Sequence, residues 1–238
     1  MGSKVATKVL GAASVLTGVL CAGVAAANQL VVVEARGGDL KPGQVVDDTK
    51  PLVLAAGQRV SLIAENGSML TLEGPYNALP TSAAATAPGL AATLQTLVVQ
   101  NQSRTNEVGV VRGANAGVAP PDPWLLDVSR PGSLCIRAGL RPVLWRATAV
   151  KTENVTITPT DRSWSMSATW AQGDDRLELP PPFPLVARST YVVDIDRART
   201  AVTINVLPET VSADPMRAAW MIEKGCRDQA VALLKTIH

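Results

Sequence analysis

Histidine is almost missing from this chain: one occurs, His238, and it is the last residue. General acid and base chemistry near neutral pH usually recruits an imidazole, and a side chain at a fraying terminus is poorly placed to serve. The chain also has no G-x-S-x-G, H-E-x-x-H, P-loop or C-x-x-C pattern. Hydrolase elbows, zinc protease sites, nucleotide cradles and thioredoxin-type redox chemistry therefore lack their parts. Aromatic residues are scarce, at 3%, yet five of the eight are Trp. Charge is sparse too, at 18%, and is scattered singly, as on a solvated surface.

What is present begins with an unusual amino terminus. Lys4 and Lys8 precede an apolar run, Val9 to Leu20, and Ala25-Ala26-Ala27 offers an A-x-A site before Asn28. This is the grammar of a cleaved secretory leader over residues 1–27, with an uncleaved anchor as the alternative. Leu20 stands where a small residue is needed before a lipidated Cys21, which argues against a lipoprotein. Cleavage removes two of 22 basic residues and no acid, leaving 20 against 20 and a net charge of zero. No basic field then remains to attract nucleic acid or anionic lipid, and no membrane span is expected after cleavage.

The clearest structural grammar lies in Pro51 to Pro75. Val60, Leu62 and Ala64 alternate with other residues, Asn66-Gly67 interrupts, and Leu70 and Leu72 resume the alternation. That predicts a hairpin closed by a type I′ turn with positive φ at both Asn66 and Gly67. Ala56-Gly57 breaks the chain before it and Gly74-Pro75 after it. Two fainter copies follow. Leu134 to Leu144 matches Leu52 to Leu62 at both end leucines, the Ala-Gly pair and the Arg, with Val155 to Pro159 as its return strand. The third copy begins at Pro184 and returns over Val202 to Val206. The alternative is that β-proteins reuse such vocabulary by chance.

The expected class is mainly β, with antiparallel sandwich or barrel-like modules, a short helix in a linker and a C-terminal αα-hairpin. QLVVVE at Gln29 to Glu34 should open the first module, over residues 28–77. Residues 78–121 read as a linker whose Leu90, Leu94, Leu97 and Val98 make one helical stripe. Short apolar runs between turn signals predict an antiparallel sandwich over 122–210. The run Pro180 to Pro184 belongs to a loop or an edge. Over 211–238, Asp214 should cap a helix with Pro215 at its first position and Gly225 as its stop. Ala230, Leu233, Leu234 and Ile237 form a stripe that, with Trp220, should cover the sandwich.

Candidate functional residues are few. Cys135 and Cys226 are the two cysteines left after cleavage, and an oxidising compartment favours their pairing, with two separately buried thiols as the alternative. Trp164 and Trp170 fall on one face of a strand and form a candidate ligand platform for sugar rings, against the plainer reading of core packing. Asp194 and Asp196 lie two apart on a strand and are candidates to share a cation, against a solvated strand end beside Arg197 and Arg199. Asp174-Asp175 reads as a turn.

The segment Gly43 to Pro75, GQVVDDTKPLVLAAGQRVSLIAENGSMLTLEGP, resembles the FecR domain, a β-repeat module in which "a-G-d-x-v" and "dG-s-x-l-t-l" hairpins follow one another. That family ranges from iron-uptake signal transducers to exported proteins. With a leader at the amino terminus, the cytoplasmic arm of the transducers has no counterpart here, so the resemblance does not imply direct regulation. The rest of the chain resembles exported proteins of Gram-negative bacteria in general style. These readings converge on a periplasmic, non-catalytic interaction module, without cofactor or metal, that binds an envelope protein or polysaccharide. A structural component of an envelope complex, and an enzyme using carboxylates such as Asp194, Asp196 and Glu178, are the alternatives.

Overall fold

A computed structural model describes residues 29–80, 119–180, 183 and 186–236. The expected leader over residues 1–27, the Leu90 to Val98 stripe, most of the expected linker, Ile237 and His238 lie outside the described residues. The fold is mainly β, with several antiparallel sheets, two C-terminal helices packed on each other, and no closed barrel among the described residues.

The first half builds around one twisted sheet. Strands β1 (Gln29–Arg36), β2 (Val45–Asp47), β4 (Arg59–Ala64) and β5 (Met69–Glu73) lie in the order β2-β1-β4-β5, all antiparallel. A two-stranded ribbon of β3 (Leu52–Leu54) and β6 (Tyr76–Ala78) completes this half. Alternation along β1 sends Leu30 and Val32 into a cluster with Leu54, Val60, Leu62, Leu70 and Leu72. Val31 and Val33 point the other way, toward the helices. The register slips between Val32 and Glu34, and this bulge flips the alternation, so that Ala35, opposite Val60, joins the cluster of Leu30 and Val32.

The central hairpin pairs Val60 with Leu72 and Leu62 with Leu70, as its alternation predicts. Its turn differs. Gly67 donates its N–H to Ala64 O, Ala64 donates to Ser68 O, and only Gly67 has positive φ, at 81°. This is a three-residue loop of the type I turn plus G1 bulge kind, in which Asn66 keeps ordinary φ and its Oδ1 accepts from the Ser68 N–H. The extra loop residue removes any need for positive φ at Asn66. Gly67→Val should cost about 1 kcal/mol or more, because a β-branched residue is forced into the left-handed region. Chemical denaturation checks this, and an unchanged midpoint would refute the role given to Gly67. Gly74 is required for a second reason: a Cβ there would run into the carbonyl of Ala55.

At the end of β2, Asp47 accepts from the Thr49 hydroxyl and N–H and pairs with Lys50. The Thr49 hydroxyl bond contributes most to holding its carboxyl down to about 2. A depressed carboxylate stabilises above its unfolded value near 3.8, and that contribution is lost as pH falls through about 2. Carbon-detected NMR titration should place the Asp47 midpoint about 2, and a midpoint at the unfolded value would show the turn to be open.

The second half holds a five-stranded sheet in the order β11-β10-β13-β14-β8 and a three-stranded sheet in the order β12-β9-β7. Their strands are β7 (Leu126–Asp127), β8 (Gly132–Arg137), β9 (Val143–Trp145), β10 (Glu153–Pro159), β11 (Met166–Trp170), β12 (Arg176–Glu178), β13 (Ser189–Ile195) and β14 (Ala198–Leu207). Leu126, Leu144, Val155, Ile157, Trp170, Tyr191, Val193, Val202 and Ile204 fill the space between them, a sandwich. Two pairs are parallel, β8 with β14 and β7 with β9, against the all-antiparallel expectation. The chain passes through β9 to β13 before returning beside β8, a connection long enough to permit parallel pairing.

The echoes of the first hairpin hold only in part. Gln58, Leu140 and Ser189 each donate to the carbonyl three residues back, and the residue before each, Gly57, Gly139 and Arg188, has positive φ. The third copy does return as the β13–β14 hairpin. The second does not: Val155 to Pro159 forms β10, which pairs with β11 and β13, while β9 pairs with β12 and β7.

Helices α1 (Asp214–Glu223) and α2 (Arg227–Leu234) end the described chain. Ala213, not Asp214, occupies the cap position of α1, and Asp214 sits one residue inside, 2.6 Å from Arg217. Gly225 stops α1 as expected: with φ at 80°, it lets Gly225 and Cys226 donate back to Ile222 O and Met221 O, a Schellman end. The helices cover more than the sandwich. Met216, Ala219, Trp220, Met221, Ala230 and Leu233 pack with Val31, Val33 and Ile63 from the first half and with Cys135 and Leu207 from the second. A third core therefore joins the two β regions, and the hairpin of helices is its centre.

Candidate functional site

The junction of α2 with the start of the second half contains a groove of about 300 Å³. One wall runs from Pro120 to Leu134 and the other is the face of α2 carrying Asp228, Val231 and Ala232. Cys226 lies against Cys135 at disulfide distance, their Cα atoms 5.9 Å apart, and both are buried. This separation lies within the range that a disulfide spans. The pair ties the junction of α1 and α2 to β8.

Gln229, one turn into α2, is 5% exposed. Its Oε1 accepts from Cys135 N at 2.7 Å, and its Nε2 donates to Cys135 O and Pro123 O, each at 2.8 Å. The side-chain amide thus imitates a neighbouring strand on the free edge of β8 and also holds the opposite wall. At the mouth, Arg130 donates from Nε and Nη2 to Asp127 Oδ2 at 3.1 and 2.9 Å and lies 3.3 Å from Asp228. Asp127 is almost buried, and its other oxygen accepts from the Ser129 N–H and hydroxyl. The result is a depression with apolar prolines and α2 side chains on its walls and an Arg between two carboxylates at its rim. Its volume is at the lower end for small-ligand sites. Sequence reasoning found the cysteines but missed Gln229 and Arg130; the available signal was a polar residue at a core position of an otherwise apolar helix stripe.

The other expected residues are placed apart. Trp170 is 0% exposed, and Trp164 is half-buried against Phe183 and Tyr191, with ring centroids 5.4 and 5.9 Å away. The two indoles share a face as the alternation implies, but that face is turned into the sandwich, so they do not form an open platform for a sugar ring. Asp194 pairs with Arg199 at 2.7 Å. Asp196 lies past the end of β13 with φ at 49° and pairs with Lys151 at 2.8 Å, a contact that holds its carboxyl below the usual range. The two carboxylates thus serve different cations. Glu178 sits exposed on β12 opposite Val143. Asp174 does lie in a turn, donating to Ala171 O after Gly173. Among the described residues, no helix is long and apolar enough to cross a membrane. No protein-family model matches the chain, and no curated protein matches it at a significant level.

Proposed function

We propose that this protein is an exported, non-catalytic interaction module of the cell envelope, which takes a protein partner or an envelope polymer in the groove beside α2. The observation that carries this reading is the groove's construction. Both walls are cross-tied, by the Cys135–Cys226 pair and by Gln229, so a ligand would meet a preformed surface and lose little to ordering it. A paired Cys135 and Cys226 also suits an oxidising compartment, and the leader grammar of residues 1–27 supports the same location. The FecR-like reading of the first half draws support from its successive turns at Gly57 and Gly67, which join β3, β4 and β5.

Export and binding are tested separately. Protein recovered from the periplasmic fraction should begin at Asn28, and an intact Met1 on protein recovered from membranes would overturn the location. For binding, Ala232→Trp fills the groove from α2 without touching the ties between its walls. Native envelope extract passed over the exported protein should yield a bound component that the Ala232→Trp variant, at unchanged thermal midpoint, does not retain. Equal recovery by both proteins would place the interaction elsewhere and refute the groove.

A further inference from the structure

Among the described residues, strand β11 is an edge of the five-stranded sheet, and its outer side is unpaired in a specific way. Asp196 N donates to Asn154 O and Thr160 N donates to Thr190 O, so the even-numbered residues of β10 direct their peptide groups to β13. The odd-numbered ones, Glu153, Val155 and Ile157, must then bond to their β11 partners Trp170, Ala168 and Met166. This parity turns the peptide groups of Ser167 and Thr169 outward, where they have no partner among the described residues.

Other edges of comparable length are guarded. Strand β8 has the Gln229 amide on Cys135, and β5 ends in Glu73, which faces Arg59. Strand β11 carries no charge, no Pro and no bulge, the usual devices that keep an edge from pairing. Its sequence is also symmetric in kind. Trp164-Ser165-Met166-Ser167-Ala168-Thr169-Trp170 reads Trp, hydroxyl, apolar, Ser, apolar, hydroxyl, Trp from either end.

We infer that β11 pairs antiparallel with β11 of a second copy of this chain about a two-fold axis at Ser167, joining two five-stranded sheets into one. An isologous interface must be complementary to itself, and the palindrome meets that requirement without a second surface. In this register Ser167 faces its own copy and Ser165 faces Thr169, and these are the positions whose peptide groups point outward. Met166 faces Ala168 on the core side, apolar against apolar. On the outer side, hydroxyl meets hydroxyl, continuing the ladder in which Thr156 and Ser167 lie 3.0 Å apart and Thr158 and Ser165 3.2 Å. An unrelated strand could satisfy the backbone but would have no reason to match this symmetry.

Sedimentation equilibrium of the exported protein at micromolar concentration should show a dimer. Ser167→Lys sets two ammonium groups opposite each other across the axis and should weaken self-association about tenfold or more. At concentrations low enough that both proteins are monomeric, its thermal midpoint should match that of the wild type, because Ser167 is exposed in the monomer. Ser167→Cys gives a positive test of the register, since directly opposed residues have Cα atoms about 5.5 Å apart, within disulfide range. Oxidation should cross-link this variant to itself. A monomeric wild type, a dimer indifferent to Ser167→Lys, or failure of Ser167→Cys to cross-link while the dimer persists would each overturn the assignment.

Discussion

Replacing both Cys135 and Cys226 by Ala should lower the stability of the protein by up to about 4.5 kcal/mol, the chain-entropy figure for a loop of 91 residues. That loop runs from β8 through β9 to β14 to the junction of the helices. Closing it in advance removes much of the freedom of the unfolded chain, and both sulfurs are already buried in the core shared by the two halves. The loss should not be spread evenly. Without the tie, the helical hairpin keeps Gln229 as its main polar link to β8, so hydrogen exchange should rise first in α2 and along β8. Denaturant titration of the oxidised protein against the double variant gives the overall difference. Labelling of the unfolded, unreduced chain from Asn28 onward should find no free thiol. Two free thiols per chain, or coincident denaturation curves, would refute the tie.

The second large effect is expected at Arg146, which is 5% exposed. Its guanidinium donates from Nε to Asp174 O at 2.9 Å and from Nη2 to Ala171 O at 2.5 Å. Nη1 donates to Lys151 O at 3.0 Å and to Glu153 Oε2 at 2.8 Å. The group lies over the indole of Trp170, 4.8 Å from the ring centre. One side chain thus ties the loop after β9, the start of β10 and the turn after β11. Arg146→Ala would take the guanidinium away from the carbonyls of Lys151, Ala171 and Asp174 and leave Glu153 with the exposed Lys151, 3.1 Å away, as its remaining counter-charge among the described residues. Losing these charge-assisted bonds should cost about 1.5–3 kcal/mol. Arg146→Lys should recover little, because an ammonium cannot span the same fork of acceptors. Thermal unfolding of both variants checks this, and a midpoint within a degree or two of wild type would show the acceptors to be satisfied by water.

Much of the local structure could be read from residue order alone. The alternation of Val60, Leu62, Leu70 and Leu72 and the glycine at 67 set the central hairpin, since period-two burial and a positive-φ residue leave few other solutions. The same reasoning located the β13–β14 hairpin, the Gly225 stop and the one-sided face of Met166, Ala168 and Trp170. Where it failed, the competing solutions were locally equal. Asn66-Gly67 suits either a two-residue or a three-residue loop, and the register that sets Val60 opposite Leu72 and Leu62 opposite Leu70 is closed only by the latter. Val155 to Pro159 looks like a return strand for β9, yet a strand with two apolar-sided neighbours available pairs where burial is greater, between β11 and β13.

The candidate site was legible only through its cysteines. Gln229 and Arg146 look like ordinary surface residues in sequence, and their burial follows from the free carbonyls and amides that distant segments bring to them. By itself, then, the sequence determined the hairpins, the helix stops, the class of fold and the two cysteines available to meet, all of which depend on a few neighbouring residues. The tertiary structure alone decided that β8 runs parallel to β14, that the helices join both β regions, that the Trp164 and Trp170 face is turned inward, and that Asp194 and Asp196 part to different cations. Those outcomes depend on which surfaces remain uncovered once the local elements have formed, and that is a property of the whole chain.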